Sequence, residues 1–365
     1  MENKKRVEQT DWIYKLKKDV PLFLERMKGK TTPGFFRYSL SGDLFDESHH
    51  WGLGNTVFAT KIYYTLGLLD SLPESSRQDI IRLIKSFQTP EGTIFDPLVA
   101  RRAFLREKLS AIKHHDLNNF FHAQTIRAET RQALSTLVLL GEKPNVYPSD
   151  LPKTIQRVQH YLEGLDWTKP WGAASHFSHL LFFLAHSELE QKNVLIDVAI
   201  EWTNRVQDKQ TGCWFHGRTT LQQKINGAMK VITGFKAANR MSIRYPERLI
   251  DLALEARNDR QACDHFNVIY VLKYADEATD SSYRHSEIRQ FALDRLSQYQ
   301  RQYWPESGGF SYFLGKANDI YYNAAVSRGL PEPDIHGTVM FLWGIALISQ
   351  ILEIDKQLGF KEFIT

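Results

Sequence analysis

The sequence predicts an all-α protein, an (α/α)6 toroid (barrel) of six helical hairpins forming a single domain over residues 1–365. Three observations predict it. Segments with helical periodicity alternate in kind six times, one kind amphipathic and the other apolar nearly all round. Gly- and Pro-rich loops separate them, and almost no stretch shows the period-two alternation of a half-buried strand. With 42% hydrophobic and 24% charged residues in 365, the chain can bury a substantial core and does not have the composition of a disordered one.

In chain order, the amphipathic segments 10–28, 75–88, 150–164, 190–207, 245–256 and 283–302 carry apolar residues at i, i+3 and i+4 with charges between. In 283–302, Ile288, Phe291, Leu293 and Leu296 lie among Arg289, Gln290, Asp294 and Arg295. Each is followed by an apolar, aromatic-rich segment: 51–69, 118–141, 171–187, 219–236, 261–275 and 335–352. Such helices need burial on both sides, which an inner ring surrounded by the amphipathic partners supplies without capping repeats. An open helical solenoid is the competing arrangement.

Composition also excludes function classes. The longest clean apolar run, Val339 to Ile348, is about half of what a bilayer-spanning helix needs, so no membrane span is expected. The opening Met-Glu-Asn-Lys-Lys-Arg leads into Gln-Thr-Asp-Trp and not into an apolar signal core, which makes a cytoplasmic location the expectation. Two cysteines, Cys213 and Cys263, are too few for a disulfide framework. A net charge of +4 spread along the chain does not imply nucleic acid.

Several ends of amphipathic segments carry a Gln, then a Gly, then an aromatic residue: Gln88, Gly92 and Phe95; Gln159, Gly164 and Trp167; Gln207, Gly212 and Trp214; Gln300, Gly308, Gly309 and Phe310. The pattern resembles the Gln-and-Trp repeat of the terpenoid cyclase and protein prenyltransferase superfamily of α/α toroids. A Gln amide can satisfy backbone groups at a helix end, Gly permits positive φ, and the ring packs on the next hairpin. That role is structural and leaves the chemistry open, because toroids host many activities.

Polar residues mark where chemistry can sit. Five of the six apolar segments begin with histidine: His49 and His50 before Trp51, His122 after Asn118 and Asn119, His176 and His179 after Trp171, His265 after Asp264, and His336 after Asp334. The fourth offers Gln222, Gln223, Asn226 and Lys230 instead. In a toroid these starts share one end and face its axis, and their free N–H groups favour an anion. The expected catalytic set is His336, oriented by Asp334 or Asp264, with His265 and Tyr270 as further acid or base. Asp334 could also cap its helix. The expected recognition set is His49, His50, Trp51, His122, Arg127, Trp171, His176, Asn226 and Lys230. Arg127 and Arg131 share a helix face in an otherwise apolar segment, either as an ion-pair network or as an anion site. The doublets Arg101-Arg102 and His114-His115 read as solvated.

Cys263, Asp264 and His336 are similar to the zinc ligands of protein prenyltransferases, which makes zinc a possible cofactor, although none is favoured. Here Cys263 directly precedes Asp264, and adjacent helical residues diverge, so both cannot easily reach one ion. Neither the Asp-Xaa-Asp-Asp nor the Asp-Asp-Xaa-Xaa-Asp motif of terpenoid chemistry is present. The leading expectation is an enzyme using acid–base chemistry on an anionic, sugar-like substrate: a lyase, epimerase or hydrolase acting on a uronate-containing glycan or glycolipid precursor. An isoprenoid transferase or cyclase is the first alternative. A non-catalytic toroid that binds a protein or glycan is the second.

Overall fold

The computed structural model describes residues 2–113 and 124–365. Helices dominate. In chain order they are α1 (Glu2–Met27), α2 (Leu53–Thr65), α3 (Glu74–Ser86), α4 (Pro97–Lys113), α5 (Gln124–Leu139), α6 (Ile155–Glu163), α7 (Pro170–His186), α8 (Lys192–Asn204), α9 (Leu221–Ala237), α10 (Pro246–Leu254), α11 (Ala262–Glu277) and α12 (His285–Gln300). Two short hairpins follow, β1 (Tyr303–Trp304) with β2 (Gly309–Phe310) and β3 (Ile320–Tyr321) with β4 (Ala324–Ala325), then α13 (Ile335–Ile351) and α14 (Asp355–Leu358). The all-α expectation is therefore met, with two antiparallel ribbons of two residues a strand added.

The two kinds of segment separate as their periodicity requires. Every residue of α2 except Tyr64 is buried, whereas α12 buries only the stripe Ile288, Ala292, Arg295, Leu296 and Tyr299. The apolar helices are neighbours in a closed cycle: α7 packs on α9, α9 on α11, α11 on α13, α13 on α2, α2 on α5 and α5 on α7. The amphipathic helices lie against them, α3 on α2 and α5, α8 on α7, α10 on α11, and α12 on α11 and α13. One connected set of buried apolar side chains runs from Trp12 to Phe363.

The Gln–Gly turns have a shared geometry at two positions. Gln88 donates to the carbonyl of Gly92 (3.3 Å) and accepts from Asn145 N (2.8 Å), while Gln207 donates to the carbonyl of Gly212 (2.8 Å) and accepts from Arg244 N (3.1 Å). Both glycines have positive φ, and a Cβ there would lie about 2.5 Å from a carbonyl oxygen of the following hairpin, Tyr147 O or Tyr245 O. In the fourth case Gln300 ends α12, and the carbonyl of Gln302 accepts from Ser311 N (3.0 Å) at the base of the β1–β2 ribbon, whose turn contains Gly308. Gly164 differs, closing α6 in the ordinary helical conformation.

Two further features shape the centre. Tyr322 and Asn323, both at positive φ, make the two-residue turn of the β3–β4 hairpin, which brings Tyr321 so close to α2 that a Cβ on Gly54 would sit 2.5 Å from its hydroxyl. From the opposite side the segment after α14 enters: Lys361 N donates to Thr65 O, Phe363 lies 4.2 Å from Trp343 ring to ring, and Thr365 is buried.

Candidate functional site

Polar residues of five of the six apolar helices gather at mid-depth. Lys61 of α2, Arg131 of α5, His179 of α7, Lys230 of α9 and Tyr270 of α11 each occupy the eighth to tenth position of their helix. Lys230 acts on Lys61 although their helices are three steps apart in the cycle: burial and then the charges of Arg131 and Lys230 hold the Lys61 amine well below its usual range. Arg131 likewise couples to Tyr270 from the opposite helix. These side chains therefore share the central space.

That space is short of negative charge. Arg131 is 2% exposed, donates from Nη1 to Ser178 Oγ and to the main-chain oxygen of Thr365 (both 3.4 Å), and leaves its Nε without an acceptor among the described residues. Lys61 donates to Gln132 Oε1 and to Thr365 Oγ1 (3.1 Å). His179 is buried with Nδ1 unpartnered among the described residues, and burial, then Arg131, His176 and Lys230, keep it neutral, well below the ordinary imidazole value. Lys230 has no hydrogen bond or ion pair with the described residues, and burial followed by the charge of Arg131 lowers its amine to about 7. No Asp or Glu side chain forms a salt bridge with Lys61, Arg131 or Lys230 among the described residues. Buried cationic donors are normally paired, so this arrangement suits an anion.

A second group surrounds His336. Asn318 Oδ1 accepts from Ile320 N (3.2 Å), which turns its amide nitrogen toward Tyr38 Oη (2.9 Å) and His336 Nδ1 (3.2 Å). The Tyr38 hydroxyl, satisfied as acceptor, donates to the same Nδ1 at 3.1 Å. Nδ1 is thus an acceptor and the proton of the neutral ring sits on Nε2. Phe58 stacks on the imidazole at 4.8 Å with Tyr312 at 4.7 Å, and burial lowers its pKa to about 3.

These positions correct several expectations. Asp334 does not orient His336: one oxygen accepts from Gly337 N (2.7 Å), the other from Tyr312 N and Asn318 N (2.8 and 3.0 Å), and burial raises the carboxyl to about 7 against those bonds. It is a helix cap that also ties down the β-ribbon segment. Asp264 accepts from Asn258 and Gln261, also away from His336. His265 turns outward between α11, α12 and α13, against Arg295, Tyr299 and Phe341. Burial and Arg295 lower it to about 4.

His49 and His50 are exposed, the first beside Asp46 and the second stacked on Phe87 of the neighbouring hairpin at 4.1 Å. Trp51 is core, wedged between Phe35 and Phe45 with its indole N–H on Asp46 O. Arg127 bonds Asp150 (3.0 Å) and Tyr161 (3.2 Å), joining α5 to the α6 hairpin. Asn226 is buried in an amide chain with Gln222 and Asn267 (2.8 and 2.7 Å). Trp171 is half-buried at the start of α7, and His176 is buried one turn before His179, ring centroids 6.1 Å apart. His122, with Asn118, Asn119 and His114-His115, lies outside the described residues. Cys263, Asp264 and His336 do not converge: no group of three possible metal ligands occurs among the described residues. Cys263 instead faces Tyr312 and Lys230.

Sequence reasoning aimed at the helix starts missed Lys61, Tyr38 and Asn318. Lys61 had a usable signal, as the single charge in an apolar helix, repeated by Lys230. Tyr38 and Asn318 had none, since both come from loops whose placement no periodicity encodes. No family model matches the chain, and no curated protein matches it significantly.

Proposed function

We propose that the cycle of six helices is an (α/α)6 toroid and that the protein is an enzyme using acid–base chemistry on an anionic, sugar-like small molecule bound at its centre. The observation that carries this reading is the convergence of Lys61, Arg131, His179 and Lys230 with no Asp or Glu salt bridge among the described residues, and with Arg131 Nε and His179 Nδ1 left unpartnered among them. Arg131 keeps its charge and offers a planar fork to a carboxylate or phosphate. Lys230, at about 7, is suited to exchange a proton at neutral pH, and the Nε2–H of the neutral His336 ring to donate a hydrogen bond to a substrate oxygen. A lyase, epimerase or hydrolase reaction needs that combination of a fixed anion anchor with a nearby proton acceptor and donor.

The aromatic surround of His336, Phe58 with Tyr312 and Tyr321, favours a second reading in which the anion is a diphosphate and the aromatic wall holds an isoprenoid. Thermal-shift titration with glucuronate, a sugar phosphate and geranyl diphosphate separates the two. The first reading expects stabilisation by a sugar acid or sugar phosphate that Arg131→Gln and Lys230→Gln abolish. Response to geranyl diphosphate alone would establish the second, and no response to any of the three anions would overturn both.

A further inference from the structure

Among the described residues, three of the most exposed large apolar side chains gather on α4, and they are on the wrong side of it for a packed helix. The helix turns small residues inward, Val99 (1% exposed) and Ala103 (fully buried), and displays Phe104 (56%), Leu109 (67%) and Ile112 (57%). At about 100° per residue these three fall within one half of the circumference, together with Arg101, Arg102 and Lys113, all exposed. Arg106 follows at its edge, and Glu107 is the only acidic residue in the sequence of the helix.

The surroundings extend the same character. Helix α4 packs on β4 of the hairpin whose partner strand exposes Ile320 (42%), Arg106 Nη1 donates to Asn323 O (3.3 Å), and the Arg102 guanidinium lies 4.4 Å over Phe45, next to exposed Leu44 (46%). Apolar side chains interleaved with arginine on one face of a helix match a lipid interface, where rings and alkyl chains enter the headgroup boundary and cations stay at the phosphate level. No helix of the described residues is long and apolar enough to cross a membrane, so the contact is one of lying on it.

We infer that α4 seats this face of the protein on a membrane surface bearing anionic lipid. The inference does not depend on the proposed substrate. Flotation of the full chain with phosphatidylcholine vesicles, alone or with phosphatidylglycerol added, tests it. The expected result is partitioning only onto the anionic vesicles, lost at high salt.

Phe104→Ser combined with Leu109→Ser and Ile112→Ser should reduce partitioning by at least about tenfold, and Arg101→Gln combined with Arg102→Gln and Lys113→Gln by roughly a hundredfold. All six positions are exposed, so both variants should keep the parent melting temperature. No partitioning of the parent protein, or partitioning that both variants retain, overturns the inference. So does a concentration-dependent dimer that the apolar variant dissociates while vesicles bind nothing, because the face would then belong to a second copy of the chain.

Discussion

The starts of the apolar helices and their middles treat polar groups in opposite ways. At the starts nearly every one has a structural partner: Asp334 accepts three backbone N–H bonds, and Asp96 accepts from Gly52, Leu98 and Val99. At mid-depth Arg131 Nε, His179 Nδ1 and Lys230 have none among the described residues. The reason is local. A helix start exposes N–H groups that some acceptor must satisfy whatever the protein does, while the middle of a helix asks nothing of its side chains. Polar residues at the starts thus report architecture. Cations in the middle of an apolar helix serve no backbone need, and they are the better signal of function.

The comparison can be broken first at Asp334. Asp334→Ala strips the acceptor from three buried N–H groups, and at about 1–3 kcal/mol for each orphaned donor the loss should be at least roughly 3 kcal/mol. Chemical denaturation measures it directly. A loss under about 1 kcal/mol would mean that the start of α13 does not hold the ribbon segment, and Asp334 would return as a functional carboxylate.

Lys230 should behave in the opposite sense. Replacing a partly buried amine that lacks a partner among the described residues with an apolar isostere, Lys230→Met, removes a desolvation cost, so stability should rise by about 1 kcal/mol while anion binding disappears. The pH dependence follows from the shifted amine. Between about 7 in the folded chain and 10.5 unfolded, the unfolded state holds the extra proton, so stability rises with pH across that window. Lys61 adds to the same slope. In Lys230→Met the alkaline rise should shrink. The acid limb should remain, because His265 and His336, lowered to about 4 and 3 from 6.5, make stability fall as pH drops below 6.5. Denaturation midpoints across pH check both limbs, and an unchanged alkaline limb would show that Lys230 is not buried as a cation.

Legibility followed the same division. The six alternations were readable because burial on one face or all round writes its period directly into α12 and α2. The Gln–Gly turns were readable because positive φ and a close carbonyl demand glycine at 92 and 212. The site was readable only in part. Lys230, Tyr270 and His336 could be named, yet the depth at which Lys230 and Tyr270 lie depends on where each helix begins, and His265 was misplaced because a residue at a helix start can turn to either side of it. Helix α4 was passed over as solvated, since basic doublets alone do not show which face packs.

The smallest effect sharpens the comparison most. His49 and His50 stand before α2 where a site at the helix starts would need them, yet both are exposed. Among the described residues the His49 ring bonds its near neighbour Asp46 at 3.2 Å, and His50 covers Phe87 with a parallel ring at 4.1 Å. His49→Ala should change stability by less than about 0.5 kcal/mol, as surface substitutions do, and His50→Ala by somewhat more, through the lost ring contact. Neither reaches the mid-depth cations, so titration with the anion that stabilises the parent protein should give the parent affinity in both variants. If His49→Ala or His50→Ala weakened that binding about tenfold while Lys230→Met left it intact, the ligand would sit at the starts, and the mid-depth cations would be a structural cluster.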